Sequence, residues 1–231
     1  MKKLERMTAR ELAVFCLMAV FAGIAVGIGG TASLLCVARL EGGYGKLLGG
    51  LLFSLGMYAI ISFEMKLFTG MVASIPKMGI KNMWRLPVCF IGNALGVALV
   101  AVLLSFSPVK AEISAAAIEL IEGKLHSETW ALSSLCSGVL CGILITMSIW
   151  ASHYAPAKGL STTVGVILPI VVFAFCGFDH SVANMLYFYF FGEVSWHVAG
   201  YIVLSIVGNA IGGVLLPLVV MLRGTENDKS A

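Results

Sequence analysis

Residues 167–185 read ILPIVVFAFCGFDHSVANM. An apolar run through Phe178 meets Asp179-His180-Ser181, and a second apolar piece, 182–191, follows. A charged or titratable side chain inside a membrane segment costs about 2.5–3.5 kcal/mol on insertion scales, so it faces a cavity or a partner. Histidine titrates near pH 6.5 when unperturbed, about where a cell works, so His180 can offer positive charge or a proton. Asn184 follows one helical turn later and shares its face.

The rest of the chain supplies the membrane context. Of 231 residues, 59% are hydrophobic and 12% charged, with a mean hydropathy of +0.98. Soluble domains carry about 25% charged residues, so lipid is the principal solvent here. No nucleic-acid-reading motif or basic stripe stands out in a chain of net charge +3, so nucleic acid is set aside as a partner. The six cysteines lie in apolar stretches without metal-ligand spacing and read as small hydrophobes. No GxSxG, HExxH or GxxxxGK[ST] motif occurs, so neither an enzyme nor ATP-driven transport is expected, and no cofactor is implied.

Six stretches are long and apolar enough to span a bilayer: 11–38, 46–62, 84–107, 129–153, 160–178 and 197–222. The first is too long for the apolar core of a signal peptide, which runs about 7–15 residues. The second and fifth are each followed by a polar cluster and a short apolar piece, so both read as broken helices. The first of these breaks is SFEMKLFTGM, 62–71, in which Glu64 and Lys66 precede Thr69-Gly70. Glycine lets the backbone turn there, and freed N–H groups with the threonine hydroxyl can face an anion. GNALGVALV at 92–100 returns as GNAIGGVLL at 208–216. Matched motifs and matched breaks predict two inverted three-helix repeats, 11–107 and 129–222, in one transmembrane transport domain over 1–231.

Basic residues set the expected orientation. With both termini in the cytoplasm, that side holds ten: Lys2, Lys3, Arg6, Arg10, Lys77, Lys81, Arg85, Lys158, Arg223 and Lys229. The other side holds four: Arg39, Lys46, Lys110 and Lys124. This predicts a multi-pass protein of the cell's inner (plasma) membrane with both termini cytoplasmic. The long outer segment 108–128 predicts a short surface helix, and His126, His153 and His197 read as interfacial.

LFTGM, the paired GNAxG motifs and above all ILPIVVFAFCGFDHSVANM resemble the formate/nitrite transporter family, over about residues 11–222. The resemblance implies an all-α, aquaporin-like protomer of six transmembrane helices, assembled as a homopentamer in the lipid bilayer with one pore per protomer. Its substrates would be small monovalent anions of the formate, nitrite and hydrosulfide class, with transport either passive or linked to protons. It assigns His180 as the central pore histidine and Thr69 as the threonine of the loop that interrupts the second helix. Phe173 matches the aromatic of one constriction, Phe53 and Met57 fall at the other, and Phe68 matches a loop aromatic. Lys124 matches a vestibule lysine that draws anions in. The resemblance also implies a departure: formate channels place an asparagine on the fourth helix near the histidine, where LCGILITMSIW puts Gly142, so His180 is expected to lack that partner. The alternative is an aquaporin-like pore for small neutral solutes such as water or ammonia. Paired NPA motifs common in such pores are absent.

Overall fold

The computed structural model describes residues 7–154 and 159–227. Lys2, Lys3, Arg6, Lys158 and Lys229, half of the basic residues assigned to the cytoplasmic side, lie outside the described residues, as do the side chains of His153 and Arg223.

The described chain is helical: α1 (Ala9–Arg39), α2 (Gly43–Ser62), α3 (Phe68–Val72), α4 (Arg85–Ser105), α5 (Lys110–Leu125), α6 (Trp130–Tyr154), α7 (Leu160–Cys176), α8 (Ser181–Phe191) and α9 (Trp196–Asn227). Helices dominate because lipid offers no partner to an exposed peptide group, so each span must satisfy its own backbone. The start of α1 is fixed by a capping box, in which Thr8 Oγ1 accepts the Glu11 N–H and a Glu11 carboxylate oxygen accepts the Thr8 N–H. Five helical segments are long and apolar enough to cross a membrane, and α7 with α8, bent by 40° at their junction, supply a sixth when counted as one span. Leu17, Ile28, Leu55, Leu95 and Leu103 point outward at 59–64% exposure, as expected where the surrounding solvent is hydrocarbon. This is a multi-pass membrane protein.

Small residues set the helix contacts. The second glycine of each GNAxG motif lies against a neighbouring backbone: Gly96 of α4 meets Val20 of α1, and Gly212 of α9 meets Val139 of α6. Successive contacts keep the same sense, so α1 runs parallel to α4 and α6 parallel to α9.

The two interruptions differ in length. α7 and α8 are substantial half-helices of 17 and 11 residues. By contrast α2 is continuous over 20 residues, and only the five-residue α3 forms within the apolar piece 67–75. Ser74 and the Ile75–Lys77 turn, which contains Pro76, end it. The surface helix expected in 108–128 is α5, and it is more than a surface element. Ile113, Ala117 and Ile121 are fully buried as it packs on α1 and α8.

Candidate functional site

The two breaks share one backbone design. α2 closes on Glu64, held at φ 53°, whose N–H donates to Ile61 O (3.2 Å) while Met65 N–H donates to Ile60 O (2.9 Å). α7 closes on Gly177 at φ 71°, whose N–H donates to Ala174 O (3.2 Å) while Phe178 N–H donates to Phe173 O (3.0 Å). Both are left-handed helix caps. Past the cap, Asn93 Oδ1 accepts the Phe68 N–H (2.8 Å), and its amide donates to Lys66 O (2.8 Å) and Ala19 O (2.7 Å). Asn209 Oδ1 accepts the Ser181 N–H (2.8 Å), and its amide donates to Asp179 O (2.7 Å) and Gly138 O (2.9 Å). Glu64 thus corresponds to Gly177, Lys66 to Asp179 and Phe68 to Ser181. Each asparagine satisfies backbone groups that a broken helix leaves orphaned, a need that is acute in a low-dielectric surrounding.

The breaks bring Thr69 and His180 together. Both are buried, and Thr69 Oγ1 lies 3.1 Å from His180 Nε2. His180 is also the N-cap of α8, where its Nδ1 accepts the Ala183 N–H (3.1 Å). A backbone N–H can only donate, so Nδ1 is the acceptor. The neutral ring then carries its proton on Nε2 and donates it to Thr69. This leaves the threonine hydroxyl hydrogen available to another acceptor.

Aromatic residues surround this pair, in an arrangement that differs from expectation. Phe53 and Phe173 do not stand at two separate constrictions. Their rings meet edge to face at 5.3 Å, and Phe173 stacks on the His180 ring at 5.8 Å. The cause is the close approach of α2 to α7, where Gly50 lies against Val171 and Ala174. Met57, one turn along α2, is buried. Phe68 packs against Phe90 of α4 at 5.1 Å. A cavity of about 100 Å³ reaches Phe53, Phe173, His180 and Asn184 from the side of Lys46 and Lys124. A larger one of about 490 Å³, on the side where α1 begins, is lined by Ile60, Glu64, Lys66, Leu67 and Gly70.

Lys124 lines the small cavity, but its ammonium is committed. It lies 2.6 Å from Asp179 Oδ1 and donates also to Gly177 O at 3.2 Å. Asp179, 2% exposed, further accepts from Asn184 Nδ2 (3.0 Å), Tyr201 Oη (2.7 Å) and Ser137 Oγ. A buried carboxylate needs such a set, because an unpaired charge in this surrounding is costly. Asn184 therefore serves Asp179 through its amide, while its own N–H bonds His180 O (2.9 Å). Ser137 and Tyr201 carried no motif in the sequence. Their only signal was a polar group on an otherwise apolar helix.

Gly142 does not leave His180 short of a partner, since both ring nitrogens are engaged. It faces α9 instead, and a Cβ there would stand 2.5 Å from Asn209 O and 2.8 Å from Gly213 N. The glycine lets α6 and α9 approach at the level of the Asn209 clasp. Glu64 and Lys66, adjacent in the first break, do not form an ion pair.

The comparisons with known proteins agree with this architecture. The chain is 31% identical to the formate channel FocB of Escherichia coli over 201 residues, covering 78% of this chain and 69% of that one. It is 30% identical to the formate channel FocA of Haemophilus influenzae over 156 residues, covering 62% of this chain and about half, 53%, of that protein's length. The nitrite transporter NirC of Salmonella typhimurium is 24% identical over 92% of this chain and 84% of its own. Among solved structures, an ion channel of the same family superposes with a TM-score of 0.79 at 22% identity over 94% of this chain and 92% of that one. A pentameric formate channel with formate bound superposes with a TM-score of 0.73 at 23% identity over 95% and 99%. The sequence model described as "Formate/nitrite transporter" matches residues 1–223, and the chain belongs to that family.

Proposed function

We propose that the chain forms a pore for small monovalent anions of the formate, nitrite and hydrosulfide class, one pore per protomer of a homopentamer, with both termini in the cytoplasm of a cell whose inner membrane it spans. It is a transport protein and not an enzyme. The observation that carries this reading is the buried Thr69–His180 pair, 3.1 Å apart, set beside the ring of Phe53 and Phe173. The matched caps and asparagine clasps support two inverted three-helix repeats, which place such pairs at the repeat interface.

The chemistry follows from the tautomer. The Thr69 hydroxyl, with its oxygen turned to His180 Nε2–H, points its own hydrogen at the anion. The N-terminal end of α8 adds the positive end of its dipole. Phe53 and Phe173 raise the cost of a bare ion on one side, and Met57 and Leu67 on the other. Leu67 stands at the position of the first break that matches His180 in the second. Transient protonation of the anion by Nε2 needs a second ring proton on Nδ1. That proton displaces the Ala183 N–H, a cap worth about 1 kcal/mol. Proton linkage therefore couples to the first turn of α8.

The test is formate and nitrite flux into proteoliposomes at two pH values. His180→Phe should reduce flux about tenfold or more, since a lost hydrogen bond to a charged group costs about 1.5–3 kcal/mol. His180→Asn should retain flux and lose its pH dependence. Unchanged pH-dependent flux in both variants sinks the histidine's role. Uptake of water or ammonia without anion flux favours a neutral-solute pore.

A further inference from the structure

α8 leads away from His180, and residues 180, 183, 184 and 187 form one stripe along it, at the spacing of a single helical face. All four line the cavity of about 100 Å³ that reaches Phe53 and Phe173. Most polar side chains on that cavity are occupied. Lys124 and Asn184 serve Asp179, and both ring nitrogens of His180 are engaged. Lys46 is exposed. Two hydroxyls remain, Tyr187 Oη on α8 and Ser33 Oγ on α1, and neither has a hydrogen-bond partner among the described residues. They stand near each other along α1. Tyr187 Oη reaches that helix at Gly30, 3.6 Å from where a Cβ would stand, and Ser33 follows one turn later. Hydroxyls without a partner, set beside aromatic rings in a largely apolar bundle, are costly unless an acceptor arrives from outside the chain. The cavity has room for roughly three waters at about 30 Å³ each, and so for an anion of three heavy atoms.

We infer that Tyr187 and Ser33 form a second binding site on the Lys46 side of Phe53 and Phe173, where the anion exchanges water for two neutral hydroxyl donors, and that this site favours anions with two oxygens, formate and nitrite, over hydrosulfide. The inference rests on the pore reading above and narrows its substrate class. The two oxygens of formate or nitrite can each accept one hydroxyl hydrogen, and bonds to a charged acceptor are the strong ones. Hydrosulfide has one heavy atom, and sulfur is a weak acceptor, so it answers these donors poorly. A site built to hydrogen-bond its ligand rejects an analogue that leaves its polar groups unpaired. Neutral donors also suit a pore, in which an ion must bind well enough to enter and weakly enough to leave.

The experiment uses the full chain in proteoliposomes, with uptake of labelled formate and of nitrite as signals and hydrosulfide as competitor. In wild type, the inhibition constant of hydrosulfide should lie about tenfold or more above the half-saturating concentrations of formate and nitrite. Tyr187→Phe keeps the ring and removes only the hydroxyl. It should raise both half-saturating concentrations about tenfold, equal to about 1.4 kcal/mol, and move the hydrosulfide constant less than about twofold. Ser33→Ala should shift the same two anions in the same direction, and it tests the site equally well if Tyr187→Phe does not assemble. A purely structural role for these residues alters all three anions together, and that result overturns the site and leaves the pore. Wild-type values in both variants overturn it as well, as does hydrosulfide competing on a par with formate and nitrite in wild type. If wild type passes neither formate nor nitrite, the pore reading fails, and the site with it.

Discussion

Asn93 and Asn209 hold the two helix breaks through the same three hydrogen bonds: one backbone N–H accepted and two carbonyls satisfied, at 2.7–2.9 Å. None of these hydrogen bonds is made to Thr69 or His180, yet each asparagine fixes the segment that presents one of them. Asn93→Ala and Asn209→Ala should each lower stability by about 1–3 kcal/mol, the cost of leaving a buried polar group unmade. Thermal unfolding in detergent measures this. Flux should fall in both, more steeply for Asn209→Ala, because that clasp brackets His180 directly. A variant that unfolds and conducts like wild type would falsify the role given to its clasp.

The ion pair between Lys124 and Asp179 predicts an asymmetric mutational response. Lys124→Met leaves a carboxylate at 2% exposure without its cation and should cost about 3–5 kcal/mol. Combining Lys124→Met with Asp179→Asn removes both charges, so the double variant should be more stable than Lys124→Met alone. A double-mutant cycle on unfolding midpoints reads the coupling. Additive effects are the result that counts against this account.

Gly142 predicts that restoring a side chain harms the protein. Gly142→Ala should cost about 1–3 kcal/mol through overpacking against Asn209 and Gly213. Gly142→Asn, which restores the residue type expected from the family resemblance, should lower formate flux rather than raise it. Wild-type flux or better in that variant contradicts the packing role.

Arg39 and Glu112 tie α1 to α5 at the rim of the bundle, with N–O distances of 2.8 and 3.2 Å. The Arg39 hydrogen bonds hold the Glu112 carboxyl below its usual range. A lowered carboxyl pKa contributes stability above the unfolded value, about 4.3, and that contribution is lost as pH falls through the folded one. Both side chains are about half exposed, so the effect is local and weakened by salt. Hydrogen exchange at the start of α5 should quicken as pH falls from 5 toward 3, beyond the intrinsic change, and Glu112→Gln should abolish that excess. The same excess in Glu112→Gln rules the pair out as its origin.

How much of this was legible in the chain itself differs by feature. Apolar length and charge scarcity state the membrane and the spans, because a bilayer imposes one length scale and one solvent on every helix. His180 and Thr69 stood out because polar groups are expensive there, and the family run around His180 is dense enough to name. The repeat was visible as two GNAxG motifs, but not why asparagine sits in them. A side-chain clasp joins residues 25–74 positions apart in the first half and leaves no local pattern. Glu64 and Lys66 marked the break that follows 46–62, where α2 ends at Ser62, but not that the apolar piece beyond it would form only the five-residue α3.

The sequence by itself determined the solvent, the helices and the two places where apolar chain gives way to polar groups, since each follows from local composition and spacing. Only the tertiary structure decided which polar groups meet. It spends Lys124 on Asp179, sets Phe53 and Phe173 edge to face and turns Gly142 away from His180. These outcomes depend on helix separation and rotation, which are fixed when small residues such as Gly50 and Gly142 let backbones close to contact, and no local reading of the chain contains that distance.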